Sequence, residues 1–435
     1  MSPDIIGIIG IVVMLFLMFL RMPIGIVMML VGFIGFCCIS GLEQGFHILS
    51  TTAHAMASTY VLTVLPLFIL MGMLAGISGL SKDAYYAINK WLGHLPGGLA
   101  MATVGACVGF AAVCGDAVAS ATTMTTVALP EMRRYNYADQ LSLGAIACGG
   151  PLGFMIPPSV AFIIFAFLTE ESIGDLFMAG IFPGLLIAIL YILAIYITCI
   201  RNKSLGPRGP RATWKERFSA LYLVWGILVL FLLVMGGMYS GVFTPTEAGA
   251  VGAFGALILG LIRKGITWKS FTESLYNTLH LTGMIFLLII GAMVFNYFMA
   301  VSELPFTLAN FVGTLPVQPI VILALILVVY VILGFFMNVI AIVVLTIPIF
   351  YPLILSLQIE PVWFAVLVVL TIMIGLVTPP VGMVVFAVAA YVKDVSLFTI
   401  FKGVWPFFYA MLVALIILIA FPQISLWLPS MMKPG

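Results

Sequence analysis

Several long stretches of this chain carry no Asp, Glu, Lys or Arg, among them Gln140 to Thr169, Leu176 to Ile200, Phe218 to Thr246, Ser274 to Ser302, Leu304 to Ile359, Pro361 to Val392 and Gly403 to Met432. Each exceeds the roughly 20 apolar residues that a helix needs to cross a hydrocarbon core. Across all 435 residues, 64% are hydrophobic and 7% charged, against about 25% charged in soluble domains. That excludes a soluble fold. Two or three soluble domains would suit the length, but that rule assumes water as solvent. One all-α polytopic bundle in a lipid bilayer is the simpler account.

The apolar runs are interrupted in a paired way. The first copy runs from Cys114-Gly115-Asp116 to Leu129-Pro130-Glu131, then reaches Gly149-Gly150-Pro151 and Ile156-Pro157-Pro158-Ser159. The second runs from Gly334-Phe335-Phe336-Met337-Asn338 to Thr346-Ile347-Pro348, then reaches Gly375 and Thr378-Pro379-Pro380-Val381-Gly382. This pairing predicts that Pro130 answers to Pro348, and that Gly149-Gly150-Pro151 answers to Gly375. Paired Gly/Pro-interrupted segments in two halves point to the binding site of a secondary transporter.

Charge orients the chain. The net charge of +2 is too small to argue for nucleic acid. Six bases (Arg201, Lys203, Arg208, Arg211, Lys215, Arg217) share one connector with Glu216, which reads as cytoplasmic by the positive-inside rule. Tracing from there, residues 177–200, 139–168, 219–237, 247–262, 275–300, 362–392 and 399–420 cross, with 4–20, 22–38 and 60–78 before them. Residues 98–130 form a hairpin open to the inside, 320–355 one open to the outside. Bases fall inside and Glu170, Glu171, Asp175 and Glu303 outside. Opposite entry of two similar hairpins predicts an inverted repeat. Met1 to Leu20 lacks a basic leading region and a small-residue cleavage site, so it reads as a retained helix. The six cysteines lack zinc-ligand spacing or a disulfide framework. His47 and His54 have no companion ligand.

Gly-Gly-Pro and Pro-Pro breaks release backbone groups that hydrocarbon cannot satisfy, so protein or a wet cavity must surround them. The half-helix ends they create offer positive N-termini to an anion and free carbonyls to a cation. Asp116, the one acid between Trp91 and Pro130, is a functional candidate as an intramembrane carboxylate, either ligating Na⁺ or carrying a proton. Asn338 holds the matching place, and its amide both donates and accepts. Thr244-Pro245-Thr246-Glu247 fits a helix start, and Trp91, Trp214, Trp268, Trp405 and Trp427 fit interfacial anchors.

These motifs, with Leu168-Thr169-Glu170-Glu171-Ser172-Ile173-Gly174, Ala179-Gly180-Ile181-Phe182-Pro183-Gly184 and Thr244-Pro245-Thr246-Glu247-Ala248, resemble the large membrane subunit of tripartite ATP-independent periplasmic (TRAP) transporters over nearly the whole chain. The resemblance implies an elevator-type fold of the ion-transporter superfamily in a bacterial or archaeal cytoplasmic (inner) membrane. It implies Na⁺-coupled import of an organic acid anion, with no cofactor beyond Na⁺ as coupling ion. The implied partners are a small four-helix membrane subunit and a periplasmic substrate-binding protein. Residues 1–59 would be N-terminal scaffold helices, 60–200 the first repeat, 201–274 the basic loop and connecting scaffold helices, 275–420 the second repeat, and 421–435 a C-terminal tail. Na⁺ and substrate would meet Gly115, Asp116, Ser120, Gly149, Gly150, Pro151, Pro157, Pro158, Gly334, Asn338, Gly375, Thr378, Pro379, Pro380 and Gly382. The chain departs from the pattern at Asp116-Ala117, where small hydroxyl residues are expected, at Asn338, where Asp is frequent, and at Thr371 and Met373, where Asn and Glu are frequent.

No G-x-x-x-x-G-K-[ST] phosphate loop occurs, so the chain cannot hydrolyse ATP by that device. A thousandfold accumulation needs about 4 kcal/mol, and one charge moving through 100 mV supplies about 2.3 kcal/mol, so several Na⁺ per anion suffice. A stand-alone carrier of the same superfamily is the alternative within transport. An intramembrane enzyme is the alternative outside it, but the H-E-x-x-H motif is absent and Val113-Cys114 lack the glycine that an aspartyl protease sets before its Gly-Asp.

Overall fold

The computed structural model describes residues 2–20, 22–313 and 317–432, and every regular element among them is helical. Three N-terminal helices come first: α1 (Pro3–Phe19), α2 (Ile24–Ser40) and α3 (Leu42–Ser58). The first repeat comprises α4 (Val64–Ile77), α5 (Leu80–Leu92), α6 (Gly98–Cys114), α7 (Ala117–Arg134), α8 (Asp139–Gly149), α9 (Leu152–Met155), α10 (Val160–Thr169) and α11 (Ile173–Arg201). A connector leads to α12 (Trp214–Leu223), α13 (Trp225–Phe231) and α14 (Gly237–Tyr239), a pair of segments bent by 47° at residue 224, then to α15 (Pro245–Ile262). The second repeat comprises α16 (Trp268–Val301), α17 (Leu304–Gly313), α18 (Pro319–Gly334), α19 (Val339–Ser356), α20 (Pro361–Val377), α21 (Met383–Tyr391) and α22 (Leu397–Ala420), and α23 (Gln423–Met432) follows.

Matching elements of the two repeats start at a common offset: 117 and 339, 139 and 361, 157 and 379 for the Pro-Pro pairs, 222 positions each time. Within each repeat the first hairpin arm packs on its own broken helix, α6 on α8 and α18 on α20. The second arms cross over, α7 onto α21 and α19 onto α10, while α8 lies on α22 and α20 on α11. Each repeat therefore buries part of its apolar surface only against the other, which makes one intertwined core.

This register corrects two pairings. Pro130 and Pro352, not Pro348, are both the fourteenth residues of 18-residue helices. The counterpart of Gly375 is Gly153, and the Gly150-Pro151 turn has no partner, because α20 runs unbroken through Ile372-Met373. Both Pro-Pro bonds are cis.

Among the described residues seven helices are long and apolar enough to cross a membrane, or eight with the bent α12–α14 segment. One of them is α19, an arm of a hairpin rather than a separate crossing. The ten crossings expected also counted α1 and α2, of 17 residues each, and the broken α20–α21 pair. Backbone contact explains how α2 is held: a Cβ on Gly32 would lie 2.7 Å from the backbone of Phe295 in α16, and one on Gly25 2.9 Å from the Leu287 carbonyl, the small-residue packing that membrane helices use. The tail expected from 421 is instead helical to Met432, and α23 packs along α11; residues 433–435 lie outside the described residues.

The ion pairs join residues that the charge trace puts on one side. Arg133 meets Asp139 at 2.8 Å and Asp394 at 2.9 Å, Arg263 meets Asp83, and Lys90 meets Glu216 at 3.5 Å. On the other side, the Tyr351 hydroxyl donates to Glu171 at 2.9 Å. The basic connector is a docked strap rather than a free loop. The Gly97 N–H donates to the Gly206 carbonyl (3.0 Å), that of Ala138 to Leu205 (3.1 Å) and that of Gly209 to Gly93 (2.9 Å). Thr213 and Glu216 then form a capping box, and the Thr213 N–H, its hydroxyl and nearby Lys90 hold the Glu216 carboxyl below its ordinary range.

Candidate functional site

The first hairpin reverses at Gly115, whose φ of +66° is left-handed. A Cβ there would lie 2.7 Å from the Pro158 carbonyl oxygen, so a residue with no side chain is required twice over. Asp116 follows and caps α7, its carboxylate accepting the Ala119 N–H at 2.7 Å. The second hairpin turns through Phe335–Met337, and the Asn338 side-chain oxygen caps α19 by accepting the Ala341 N–H at 2.8 Å. Gly334 presses on Gly375: a Cβ on Gly334 would lie 2.9 Å from the Gly375 Cα. The broken helices restart beside these tips. Ser159 caps α10, accepting from the Phe162 N–H at 3.4 Å and donating to the Phe154 carbonyl at 2.6 Å. Gly382, at φ +63°, starts α21 with no side-chain cap.

The four restarted helices open on one cavity of about 560 Å³. Its lining includes Asp116 to Ala119 at the start of α7, Val160 at the start of α10, Asn338 to Ile340 at the start of α19 and Met383-Val384 at the start of α21. Across from them stand Met73 and its neighbours on α4, and Leu281, Met284 and Ile285 on α16. Four helix N-termini, each with N–H groups unmatched inside its own helix, thus converge on one volume. The polar side chains there are Asp116, Thr122, Asn338 and Tyr391, and no Lys, Arg or His is among the lining residues. Among the described residues no group of three or more His, Cys, Asp or Glu could hold a metal ion.

Of the residues expected from the sequence, Asp116 and Asn338 line the cavity itself. Gly115 and Pro158 meet behind it, at the contact between hairpin and broken helix, and Pro157 precedes Pro158 in the break between α9 and α10. Ser120 is one turn further along α7, fully buried, and its hydroxyl has no partner. Gly149 and Gly150 let the α8–α9 turn press on α6 and α7: a Cβ on Gly149 would meet the Cys107 sulfur at 2.7 Å, one on Gly150 the Ala117 carbonyl at 2.6 Å. Pro151 continues that turn as the N-cap of α9. Gly334 and Gly375 are a packing contact. Thr378 spends its proton on the Ile374 carbonyl at 2.5 Å, and Thr378, Pro379, Pro380 and Gly382 shape the restart of α21 without lining the cavity. Sequence reasoning missed the far wall of α4 and α16, together with Thr122 and Tyr391; within uniformly apolar runs Met73 or Met284 carries no distinguishing mark.

Known proteins resemble this chain over most of its length. A family described as "Tripartite ATP-independent periplasmic transporter, DctM component" matches residues 11–424. The C4-dicarboxylate TRAP transporter large permease protein DctM of Pseudomonas aeruginosa is 35% identical over 373 residues, 85% of this chain and 86% of the relative. The sialic acid TRAP transporter large permease protein SiaM of Vibrio cholerae is 31% identical over 416 residues, 95% and 96% of the two chains. Among solved structures, the Alcanivorax borkumensis YdaH transporter shares the fold with a TM-score of 0.57 at 16% identity, over 91% of this chain and 90% of that one.

Proposed function

The chain belongs to the DctM component family of tripartite ATP-independent periplasmic transporters, and from that premise we propose that it imports an organic acid anion together with Na⁺. The observation that carries this reading is the convergence of four helix N-termini and both hairpin tips on one cavity. Partial positive charge at those ends suits a carboxylate with no buried Lys or Arg. The two relatives above are named for a dicarboxylate and for sialic acid, both acids.

Na⁺ is cargo here. The Asp116 carboxylate, the unpartnered Ser120 hydroxyl and the carbonyls freed at the breaks are the oxygen donors that a hard monovalent cation takes. A cation beside the anion lowers the cost of bringing either out of water, which is how coupling would arise. The hairpins α6–α7 and α18–α19, with the broken helices α8–α10 and α20–α21, would move as one body. Helices α4 and α16 would be the wall it slides along, in an elevator cycle across a cytoplasmic membrane. A periplasmic binding protein would deliver the anion, and a small membrane subunit would complete the scaffold.

Uptake of labelled organic acids into proteoliposomes holding this chain and its small subunit tests the proposal, with and without an inward Na⁺ gradient and the binding protein. Uptake that requires both supports it. Uptake unchanged when choline replaces Na⁺ sinks the coupling, and Na⁺-driven uptake without any binding protein indicates a self-sufficient carrier.

A further inference from the structure

The cavity walls carry more information than its four helix ends. On the hairpin side, Val160, Val339, Ile340, Leu376 and Met383 surround the two caps. On the opposite side, the α4 and α16 wall is apolar throughout, with Met73 and Met284 supplying adaptable thioethers. The volume of about 560 Å³ falls within the roughly 300–1,000 Å³ of ordinary small-molecule sites. A four-carbon diacid would leave most of that wall uncovered.

Charge argues the same way. The only ionisable side chains on the lining are the Asp116 carboxyl and the Tyr391 phenol, and no cation is there to meet an acid group pointed away from the hairpin tips. A ligand carboxylate can be served at the tips, where the helix N-termini open and where Na⁺ is proposed to bind. A second carboxylate held away from the tips would face Leu281, Met284 and Ile285, where a desolvated charge has no partner.

We infer that the ligand of this permease cavity is a monocarboxylate with a bulky, largely apolar body, its acid group at the hairpin tips and its body against α4 and α16, and that C4 dicarboxylates are excluded. This rests on the transport reading above and narrows it. It also separates this chain from the relative named for C4-dicarboxylates, despite 35% identity.

The test is ligand-induced thermal stabilisation of the purified complex of this chain with its small subunit, without any binding protein, in Na⁺ and in choline. Phenylacetate and 4-methylvalerate are compared with succinate and fumarate. The expected result is Na⁺-dependent stabilisation by the first two at concentrations at least tenfold below those needed for the diacids. Met284→Gln is expected to narrow that gap several-fold, by placing an amide on the apolar wall. Diacids acting at equal or lower concentration than the apolar acids would overturn the inference and leave Na⁺-coupled acid transport standing. If no carboxylate of either kind stabilises the complex in Na⁺, the inference falls, and Na⁺-driven uptake with the binding protein present decides the transport reading separately.

Discussion

The two hairpin tips share a backbone plan and differ in chemistry. Both end an arm, reverse, and restart an 18-residue helix on a side-chain cap that accepts from the residue three positions on. In the first, the cap is a carboxylate, and Ser120 and Thr122 follow on α7. In the second, the cap is an amide, and the matching residues are Ile342 and Val344. The first hairpin is supported by a broken helix with an additional turn at Gly150-Pro151, the second by one that runs straight to Val377. Symmetry therefore governs the packing, while the oxygen donors are concentrated in the first repeat. Shape is duplicated; charge is not. On the proposed Na⁺ coupling, this difference predicts an ion site that leans on the first repeat and a second tip that serves mainly geometry.

The largest expected effect breaks the symmetry of packing. Gly153 and Gly375 are counterparts, yet a Cβ on Gly375 would lie 2.5 Å from the Val331 carbonyl and 2.7 Å from the Gly334 Cα, while one on Gly153 meets nothing closer than 3.4 Å. Backbone cannot give way as a side chain can, so Gly375→Ala is expected to cost about 3 kcal/mol through overpacking. Gly153→Ala should stay within about 1 kcal/mol, the range of the helix-propensity gain. Thermal unfolding of the two variants in nanodiscs measures the contrast, and equal losses would mean that the α18–α20 contact is looser than described.

Next comes charge. Asp116→Asn keeps an oxygen acceptor for the Ala119 N–H and removes the negative charge, so the cap survives. The Na⁺ concentration for half-maximal uptake is expected to rise at least tenfold, about 1.4 kcal/mol. Asn338→Ala removes a cap worth about 1 kcal/mol in stability and should leave Na⁺ dependence within threefold. If both variants shift Na⁺ dependence alike, the ion is shared between the tips and the asymmetry argument fails.

Ser120 sharpens the same point on a smaller scale. A buried hydroxyl without a partner costs stability on its own, so in Na⁺-free buffer Ser120→Ala should unfold no earlier than the parent. In Na⁺ it should lose part of the ion-induced stabilisation, on the order of 1 kcal/mol. Thermal scans with and without Na⁺ separate the two effects; identical Na⁺ stabilisation in both proteins would remove Ser120 from the ion site.

Much of this frame was legible in the sequence, because it rests on rules that act locally. Hydrocarbon length and the absence of charge mark the long helices, Pro-Pro pairs cannot continue them, and Thr244-Pro245-Thr246-Glu247 does form a capping box. Asp116 and Asn338 were found because a polar residue in an apolar run needs a reason. The register was harder, since α19 carries both Pro348 and Pro352 and either could be paired with Pro130 until the helix starts were known. The amphipathic α3 and α5, with α17, left no hydropathy signal as long as a span. The cavity walls were not legible at all: whether an isoleucine faces lipid, core or substrate is decided by tertiary packing.

The least disruptive change examines what lies around the first hairpin rather than its tip. The Tyr137 hydroxyl accepts the Leu99 N–H at 3.2 Å and donates to the Pro207 carbonyl at 2.8 Å, tying the start of α6 to the basic strap. Among the described residues no backbone hydrogen bonds from a connector hold the base of the second hairpin in this way. Tyr137→Phe removes both bonds but leaves the Gly97–Gly206 and Ala138–Leu205 pairs in place, so the local loss should be about 1 kcal/mol. Hydrogen exchange should quicken at residues 97–99 and 205–209, with no change in the Na⁺ dependence of uptake. If uptake slows while exchange stays the same, the strap would be part of the moving body's cycle rather than a clamp on its folded state.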